Sequence, residues 1–198
     1  MEIQQFYETH AQAFSATRFC LWDAVRDFGN KFSKKDIVLD AGCGNGKNMK
    51  YFQEKCTIQG FDKSANLVSI CREKGFQVRE GDVLSIPFSS EMFNYILCIA
   101  VIHHLDSEDK HLQAIHELMR CLRPGGSCFI TLWAFESDEY SKKKNFIRGH
   151  NLIPFNHKQN MRYYYIYDEL MLQNLLTKVQ YEWSYTWERG NWNIILKK

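Results

Sequence analysis

Short apolar runs alternate with amphipathic stretches through the first two thirds of the chain. Five runs have the length and the β-branched and aromatic content of buried strands, at residues 36–42, 56–62, 76–82, 93–102 and 127–135. Stretches compatible with helices lie between them, at residues 45–53, 64–73 and 109–122. An Arg-Pro-Gly-Gly turn at 123–126 ends the last of these helices. This alternation predicts a parallel sheet with right-handed crossovers, the doubly wound α/β class.

The two ends of the chain have different patterns. Apolar residues at steps of three and four predict one amphipathic helix over 19–32. After a helix predicted near 168–178, two β-rich runs separated by residues 188–190 predict an antiparallel hairpin at one edge of the sheet. The predicted fold is therefore Rossmann-like α/β, with a mostly parallel seven-stranded sheet, a C-terminal antiparallel hairpin and helices on both faces.

Composition favours one globular domain and narrows its surroundings. The chain has 198 residues, of which 45% are hydrophobic and 24% charged, close to the globular average. Its longest apolar run is too short for a membrane helix, and its first residues lack a signal peptide's pattern. Seven scattered cysteines without C-x-x-C spacing argue against a disulfide framework and a cysteine zinc site. We expect a cytoplasmic protein without membrane contact or bound metal, and a nuclear pool stays open.

Charge is concentrated in one segment although the net charge is only +2. Residues 141–166 contain no acidic residue and six basic ones: Lys142, Lys143, Lys144, Arg148, Lys158 and Arg162. The rest of the chain carries 19 basic and 23 acidic residues. Either this segment contacts a polyanion, or it is a solvated loop.

A glycine-rich turn follows the first predicted strand. The sequence Asp40-Ala-Gly42-Cys-Gly44-Asn-Gly46-Lys47 leads into a helix, and its glycines allow a tight turn and close approach of a ligand. A dinucleotide fingerprint would need glycine where Lys47 stands. The spacing instead suits a ligand without a pyrophosphate, and a purely structural turn is the alternative.

Two acidic residues end the next two strands. Asp62 follows Gly42 by 20 positions, where a carboxylate can accept both hydroxyls of a ribose. Asp82 is placed to accept from an adenine amine, with the Val83 amide available for a ring nitrogen. Either aspartate alone is more often a helix cap or a turn residue. Because the carboxyl ends of parallel strands meet at one edge, the set predicts an adenosine ligand.

These features resemble the S-adenosylmethionine-dependent class I methyltransferases, which also share the Leu-Arg-Pro-Gly-Gly turn at 122–126. The resemblance implies that S-adenosyl-L-methionine is the cofactor. It implies a binding site formed by Asp40, Gly42, Gly44, Gly46, Asp62, Lys63, Asp82, Val83 and Ile99.

Further segments look like the eukaryotic tRNA wobble-uridine carboxymethyl methyltransferases. They are Tyr7, Ala11, Phe14 and Arg18 in a Y-x3-A-x2-F-x3-R pattern, and residues 100–105, 132–136, 152–155, 162–164 and 190–196. The resemblance implies methyl esterification of a carboxymethyl group on the first anticodon uridine. It also implies a heterodimer with a small zinc-binding activator subunit. Two segments depart from the family: residues 19–22 lack its basic, proline-containing stretch, and Lys110-His111 replaces an arginine pair.

Roles for individual residues follow from the implied reaction. A carboxylate acceptor is already ionised at neutral pH, so Arg18 and His103 would act as catalytic residues by holding geometry rather than as bases. Either His103 or His104 would point into the site, and we expect His103. Contacts to the tRNA anticodon stem-loop are expected from Lys110, His111, Lys142, Lys143, Lys144, Arg148 and Arg162. A small-molecule carboxylate or hydroxyl acceptor, and a non-catalytic binding subunit, are the alternatives.

The chain then divides into four segments of one domain spanning 1–198. An N-terminal helical cap (1–35) precedes the cofactor-binding core (36–135). A basic and aromatic substrate insert (136–167) leads to the terminal helix and hairpin (168–198).

Overall fold

The computed structural model describes residues 3–15, 20–136, 145–155 and 160–198. Its helices are α1 (Ile3–Ser15), α2 (Asp23–Phe28), α3 (Lys47–Phe52), α4 (Ala65–Glu73), α5 (Glu108–Cys121) and α6 (Glu169–Leu176). Its strands are β1 (Ile37–Ala41), β2 (Thr57–Asp62), β3 (Val78–Glu80), β4 (Phe93–Ile99), β5 (Leu122–Trp133), β6 (Gly149–Phe155), β7 (Asn160–Ile166), β8 (Glu182–Glu188) and β9 (Asn191–Lys197). Short 3-10 turns cover Gly29–Lys31 and Ile102–His104.

Seven strands form one sheet in the order β3-β2-β1-β4-β5-β9-β8. The first five are parallel, and β9 and β8 pair antiparallel, which confirms the predicted fold and its C-terminal hairpin. Neighbouring residues of β4 point to opposite faces, because Ile96 packs in one apolar cluster and Leu97 in the other. Ile96 shares its cluster with α5 and α6, whereas Leu97 shares its own with α2, α3 and α4. Helices therefore cover both faces.

Two local predictions were wrong, and one pair of strands was not predicted. The helix predicted over 19–32 is limited to α2 and one 3-10 turn, because Trp22 and Phe32 on either side are extended; residues 16–19 lie outside the described part. The turn predicted at 123–126 is a bulge inside β5, where the pairing with β4 shifts register. The insert contains a separate two-stranded antiparallel sheet, β6 with β7, which the sequence pattern did not indicate.

Helix α1 contacts both the start of α4 and the turn after β4, at the carboxyl ends of the parallel strands. The carboxylate of Glu8 accepts hydrogen bonds from the backbone N–H groups of Ala65 and Asn66, at the start of α4. One residue earlier, the Tyr7 hydroxyl reaches His104, which follows β4. Within the described residues, no helix is long and apolar enough to cross a membrane.

Candidate active site

A cavity of about 820 Å³ opens at the carboxyl ends of β1 to β4. The turn after β1 forms one wall, and Asp62, Asp82 and Val83 form the next. The far side is closed by the turn after β4, with His103 and His104, by the end of β5 and by the middle of β7. This volume is within the range of small-molecule and cofactor sites.

The glycine turn adopts a backbone that requires glycine. Gly42, Gly44 and Gly46 have φ values of +70°, +56° and +77°. A Cβ on Gly42 would lie 2.4 Å from Cγ2 of Val101. Neither the backbone conformation nor the space at Gly42 tolerates a side chain. The cavity wall at this turn is therefore formed by backbone atoms.

Asp62 and Asp82 are held by backbone donors. Asp62 accepts from the N–H of Gly44 at Oδ2 (2.8 Å) and from that of Ser64 at Oδ1 (3.0 Å), while desolvation raises its pKa. Oδ1 of Asp82 accepts from the N–H of Leu84 (3.0 Å), and its Oδ2 lies 2.8 Å from the Lys63 ammonium. Burial opposes ionisation of Asp82, but these partners outweigh it and lower its pKa.

Asp40 and Gly46 do not line the cavity, which corrects their predicted direct role. A Cβ on Gly46 would meet the Phe76 ring at 2.7 Å, so this glycine lets the turn pack against the protein. Asp40 is fully buried behind the turn, where its Oδ1 accepts from the Asn48 amide (3.1 Å). Burial raises the pKa of Asp40 to about 7. Both residues shape the turn from behind.

The two histidines after β4 both line the cavity. His103 is fully buried, and its Nδ1 accepts from the backbone N–H of Trp133 (3.1 Å). His104 donates from Nδ1 to the carbonyl of Tyr163 (2.8 Å), so its Nε2 accepts from the Tyr7 hydroxyl (3.1 Å). Burial lowers the pKa of His104 to about 4 and that of His103 well below its usual range. Both are neutral near pH 7.

An aromatic wall of Phe146, Trp133 and Tyr164 lies beside these histidines. The Trp133 and Tyr164 rings are parallel within 5° with centroids 4.1 Å apart, and Phe146 stacks on Trp133 at 5.6 Å. The guanidinium of Arg162, itself buried, lies 5.3 Å from the centre of the Tyr164 ring. Stacked rings of this kind suit a planar ligand ring.

Comparison with known proteins agrees with this geometry. Residues 39–130 match the family described as Methyltransferase domain. The tRNA (carboxymethyluridine(34)-5-O)-methyltransferase of Xenopus tropicalis is 42% identical over 72% of the chain. The chain belongs to the class I methyltransferases. Its resemblance to the wobble-uridine enzymes is thereby confirmed, although it spans only 22% of the length of that relative and 34% of one from Arabidopsis thaliana.

Solved structures show the same methyltransferase fold. The DhpI–SAM–HEP complex aligns with a TM-score of 0.75 over 98% of this chain and 95% of that one, at 13% identity. A putative methyltransferase in complex with a methyltransferase activator from Haloferax volcanii aligns at 0.69, over 98% and 96%, at 15% identity.

The structure separates the other predicted site residues of this methyltransferase. Val83, Ile99, Lys63, His103 and Arg162 line the cavity with Gly42, Gly44, Asp62 and Asp82. Arg18 and Lys142, Lys143 and Lys144 lie outside the described residues.

Three residues predicted to contact the substrate do not line the cavity. His111 is fully buried: it donates from Nε2 to the Leu105 carbonyl and accepts at Nδ1 from the Tyr167 hydroxyl, so substrate binding by His111 was wrongly predicted. Lys110 pairs with Asp106 one helical turn away, and Arg148 pairs with Asp168. The Lys110 and Arg148 side chains remain 45% and 59% exposed, so both ion pairs are surface contacts outside the cavity.

Sequence reasoning missed Trp133 and Tyr7 as parts of the site, whereas Phe146 and Tyr164 belong to the insert that was predicted to be basic and aromatic. Trp133 lies at the end of β5 and Tyr164 in β7, more than thirty positions later. Apolar periodicity assigns such residues to the core, and only their pairing across the fold assigns them to a cavity wall. The Y-x3-A-x2-F-x3-R pattern was the signal that could have found Tyr7.

Proposed function

We propose that this methyltransferase uses S-adenosyl-L-methionine to esterify the carboxymethyl group of the wobble uridine in tRNA. The observation that carries the proposal is one cavity that joins the Gly42–Asp62–Asp82 side to an aromatic wall with a buried arginine. The name of the Xenopus tropicalis relative supports the reaction and the substrate.

The residues present fit the cofactor. Gly42 and Gly44 present backbone without a Cβ to the cavity, so a ligand can approach the turn closely. Asp62 retains lone pairs for ribose hydroxyls after accepting its two backbone hydrogen bonds. Asp82 and the Val83 amide would hold the adenine edge. When bound, the cofactor supplies an electrophilic methyl group on a positively charged sulfur.

The chain's own residues would then position an acceptor that is already a nucleophile. A carboxylate oxygen would form the new bond to the methyl carbon as the carbon–sulfur bond breaks and leaves its electrons on sulfur, so no residue of the chain would need to take up a proton. Opposite charges disappear during this step, so strong cationic binding of the carboxylate would stabilise the ground state more than the transition state. The neutral state of His103 and His104 suits this requirement.

We further propose that an activator subunit adds a strand beside β3. This strand is an edge of the sheet within the described residues. The bonds from Gly60 N–H to the Gln77 carbonyl and from Gly81 N–H to the Asp62 carbonyl point toward β2, so alternation turns the Glu80 N–H outward. The fold shared with a methyltransferase solved with an activator supports this proposal.

Glu80→Pro tests the edge directly, because it removes one outward N–H without touching the β2–β3 hydrogen bonds. Co-purification with a small zinc-binding activator should be lost in this variant and kept in Glu80→Ala, which retains the N–H. Equal capture by both variants would reject strand addition at β3.

The RNA contact and the location of the protein complete the proposal. The basic segment 141–166 would meet phosphates of the anticodon stem-loop through Lys142–Lys144, while the buried Arg162 would act inside the cavity. Cytoplasmic residence, where mature tRNA is used, fits the free state of all seven cysteines among the described residues.

The deciding experiment incubates the chain with labelled cofactor and hypomodified tRNA, with and without the activator. Nucleoside mass spectrometry should detect the methyl ester at the wobble position, at a rate that is flat above about pH 6 because the acceptor has a reference pKa near 4. Label found only on a free carboxylic acid or hydroxyl compound would instead support a small-molecule methyltransferase.

A further inference from the structure

The ring of His103 is held in one orientation by its surroundings. It is fully buried between the rings of His104, Trp133 and Tyr164, whose centres lie 4.7, 5.5 and 5.1 Å from its own. Its Nδ1 lies 3.1 Å from the backbone nitrogen of Trp133. A backbone N–H can only donate, so Nδ1 must carry a lone pair.

The single proton of a neutral imidazole must then be on Nε2. Burial, together with the charge of Arg162 of β7, lowers the pKa of His103 and keeps the ring neutral. The other titratable groups that face it are His104 on its own turn and His111 of α5, whose pKa values are lowered as well. In the unliganded chain Nε2 is covered from solvent and has no hydrogen-bond partner among the described residues, so an acceptor reaches it only when one of the neighbouring rings moves aside. A buried donor without an acceptor is costly, and this one belongs to a side chain that lines the cavity.

We propose that His103 is a fixed, neutral hydrogen-bond donor whose Nε2–H holds one oxygen of the acceptor carboxylate, and that it thereby selects carboxylates over hydroxyl acceptors. This inference rests on the proposed methyl transfer. A carboxylate satisfies the orphan donor with one oxygen and attacks the methyl group with the other. A hydroxyl acceptor must lose a proton, which His103 cannot take because Nε2 already carries one and Nδ1 is occupied by Trp133.

The donor's neutrality matters for the rate as well as for selectivity. A hydrogen bond from an uncharged N–H orients the carboxylate. It stabilises the ionised ground state less than an ion pair would, so it adds less to the activation barrier. His103 would therefore raise kcat/KM by holding the attacking geometry without burying the nucleophile in an ion pair.

The tautomer can be measured without any turnover. The unliganded chain, labelled with ¹⁵N-histidine, should show His103 as the Nε2–H tautomer from pH 6 to pH 9. Its resonances are identified by their loss in His103→Gln, and His116→Gln, at an exposed histidine, should leave them in place. Titration with 5-carboxymethyluridine should shift the Nε2–H resonance, and 5-methyluridine, which lacks the carboxylate, should not. A Nδ1–H tautomer, an imidazolium in this range, or equal responses to the two nucleosides would overturn the proposal.

Two substitutions add a kinetic test. His103→Gln keeps an amide N–H near the position of Nε2 and should retain kcat/KM within about fivefold, whereas His103→Leu should lower it about 10- to 100-fold. Cofactor affinity should stay the same in both, which also verifies that they fold. Equal losses in the two variants would overturn the donor role.

Failure of the reaction and failure of the donor role are distinguishable. Absence of methyl transfer, with the Nε2–H tautomer and the selective nucleoside response intact, would reject the proposed reaction and keep the donor. Methyl transfer whose rate rises through pH 8 with a titrating histidine would keep the reaction and reject the donor.

Discussion

The backbone N–H of Gly44 lies 2.8 Å from Oδ2 of Asp62 and ties the glycine turn to the end of β2. The second oxygen of the same carboxylate accepts a hydrogen bond from the backbone N–H of Ser64, the N-cap residue of α4. One side chain therefore links the turn after β1, the strand β2 and the next helix. The residue proposed to bind the ribose also holds the shape of the turn beside it.

Asp62→Asn should weaken cofactor binding about 10- to 100-fold. The amide replaces one acceptor oxygen by an NH2 group, which would point a donor either at the ribose hydroxyls or at a backbone N–H that Asp62 now accepts from. Calorimetry with S-adenosyl-L-methionine measures the loss. Asp36→Asn is a matched control, because Asp36 also accepts from the Ser33 backbone and hydroxyl but precedes β1, at the opposite end of the sheet. An Asp62→Asn variant that binds as tightly as the Asp36→Asn control would refute the role.

Gly42→Ala should destabilise the protein more than Gly75→Ala does. Both glycines have left-handed φ values, +70° and +82°, so both substitutions incur backbone strain of about 1–2 kcal/mol. Only at Gly42 would the added Cβ collide, 2.4 Å from Val101, whereas nothing lies within 4 Å at Gly75. Overpacking should add about 1–3 kcal/mol to the loss in the free energy of unfolding, measured in urea. Equal losses would show that Val101 moves aside freely.

Asp40→Asn should stabilise the unliganded chain in a pH-dependent way. Burial raises the pKa of Asp40 from 3.8 when unfolded to about 7 when folded, so the folded state binds more protons between these values. The stability of the natural chain therefore falls as pH rises from about 4 to about 7. The asparagine variant lacks this loss, and its amide can donate to Oδ1 of Asn48, which has no partner among the described residues.

The advantage of Asp40→Asn should be smallest near pH 4 and reach at most about 4 kcal/mol above pH 7. Urea unfolding at several pH values, without cofactor, measures it. A constant advantage at pH 4 and pH 8 would mean that the carboxyl group does not titrate in this range.

Replacing Lys142, Lys143 and Lys144 by glutamine should weaken tRNA binding and flatten its dependence on salt. If each lysine neutralises one phosphate, the slope of log affinity against log salt should fall by about 2, because each contact contributes about 0.7 on single strands. The exposed pair Lys34 and Lys35, before β1, provides a control in which glutamine should leave the slope unchanged. An unchanged slope in the triple variant would reject the contact.

Local sequence determined most of the fold and the glycine side of the site. Strand and helix patterns alternate along the chain, with turn residues at their ends. Local residue patterns therefore predict β1 to β4 and α3 to α5. Asp62 and Asp82 came from the same reasoning, because parallel strands bring their carboxyl ends together whatever packs around them.

Tertiary structure decided which of several similar residues meet in the cavity. His103 lines it and His111 does not, although both are buried histidines, because the 3-10 turn after β4 and the first turn of α5 face different surroundings. Arg148 pairs with Asp168, twenty positions away, on the surface, while Arg162 is carried inward by β7. The sequence alone determined the elements, since backbone preference and apolar period are local properties. The acceptor side of the site depended on contacts between distant segments, which no local pattern specifies.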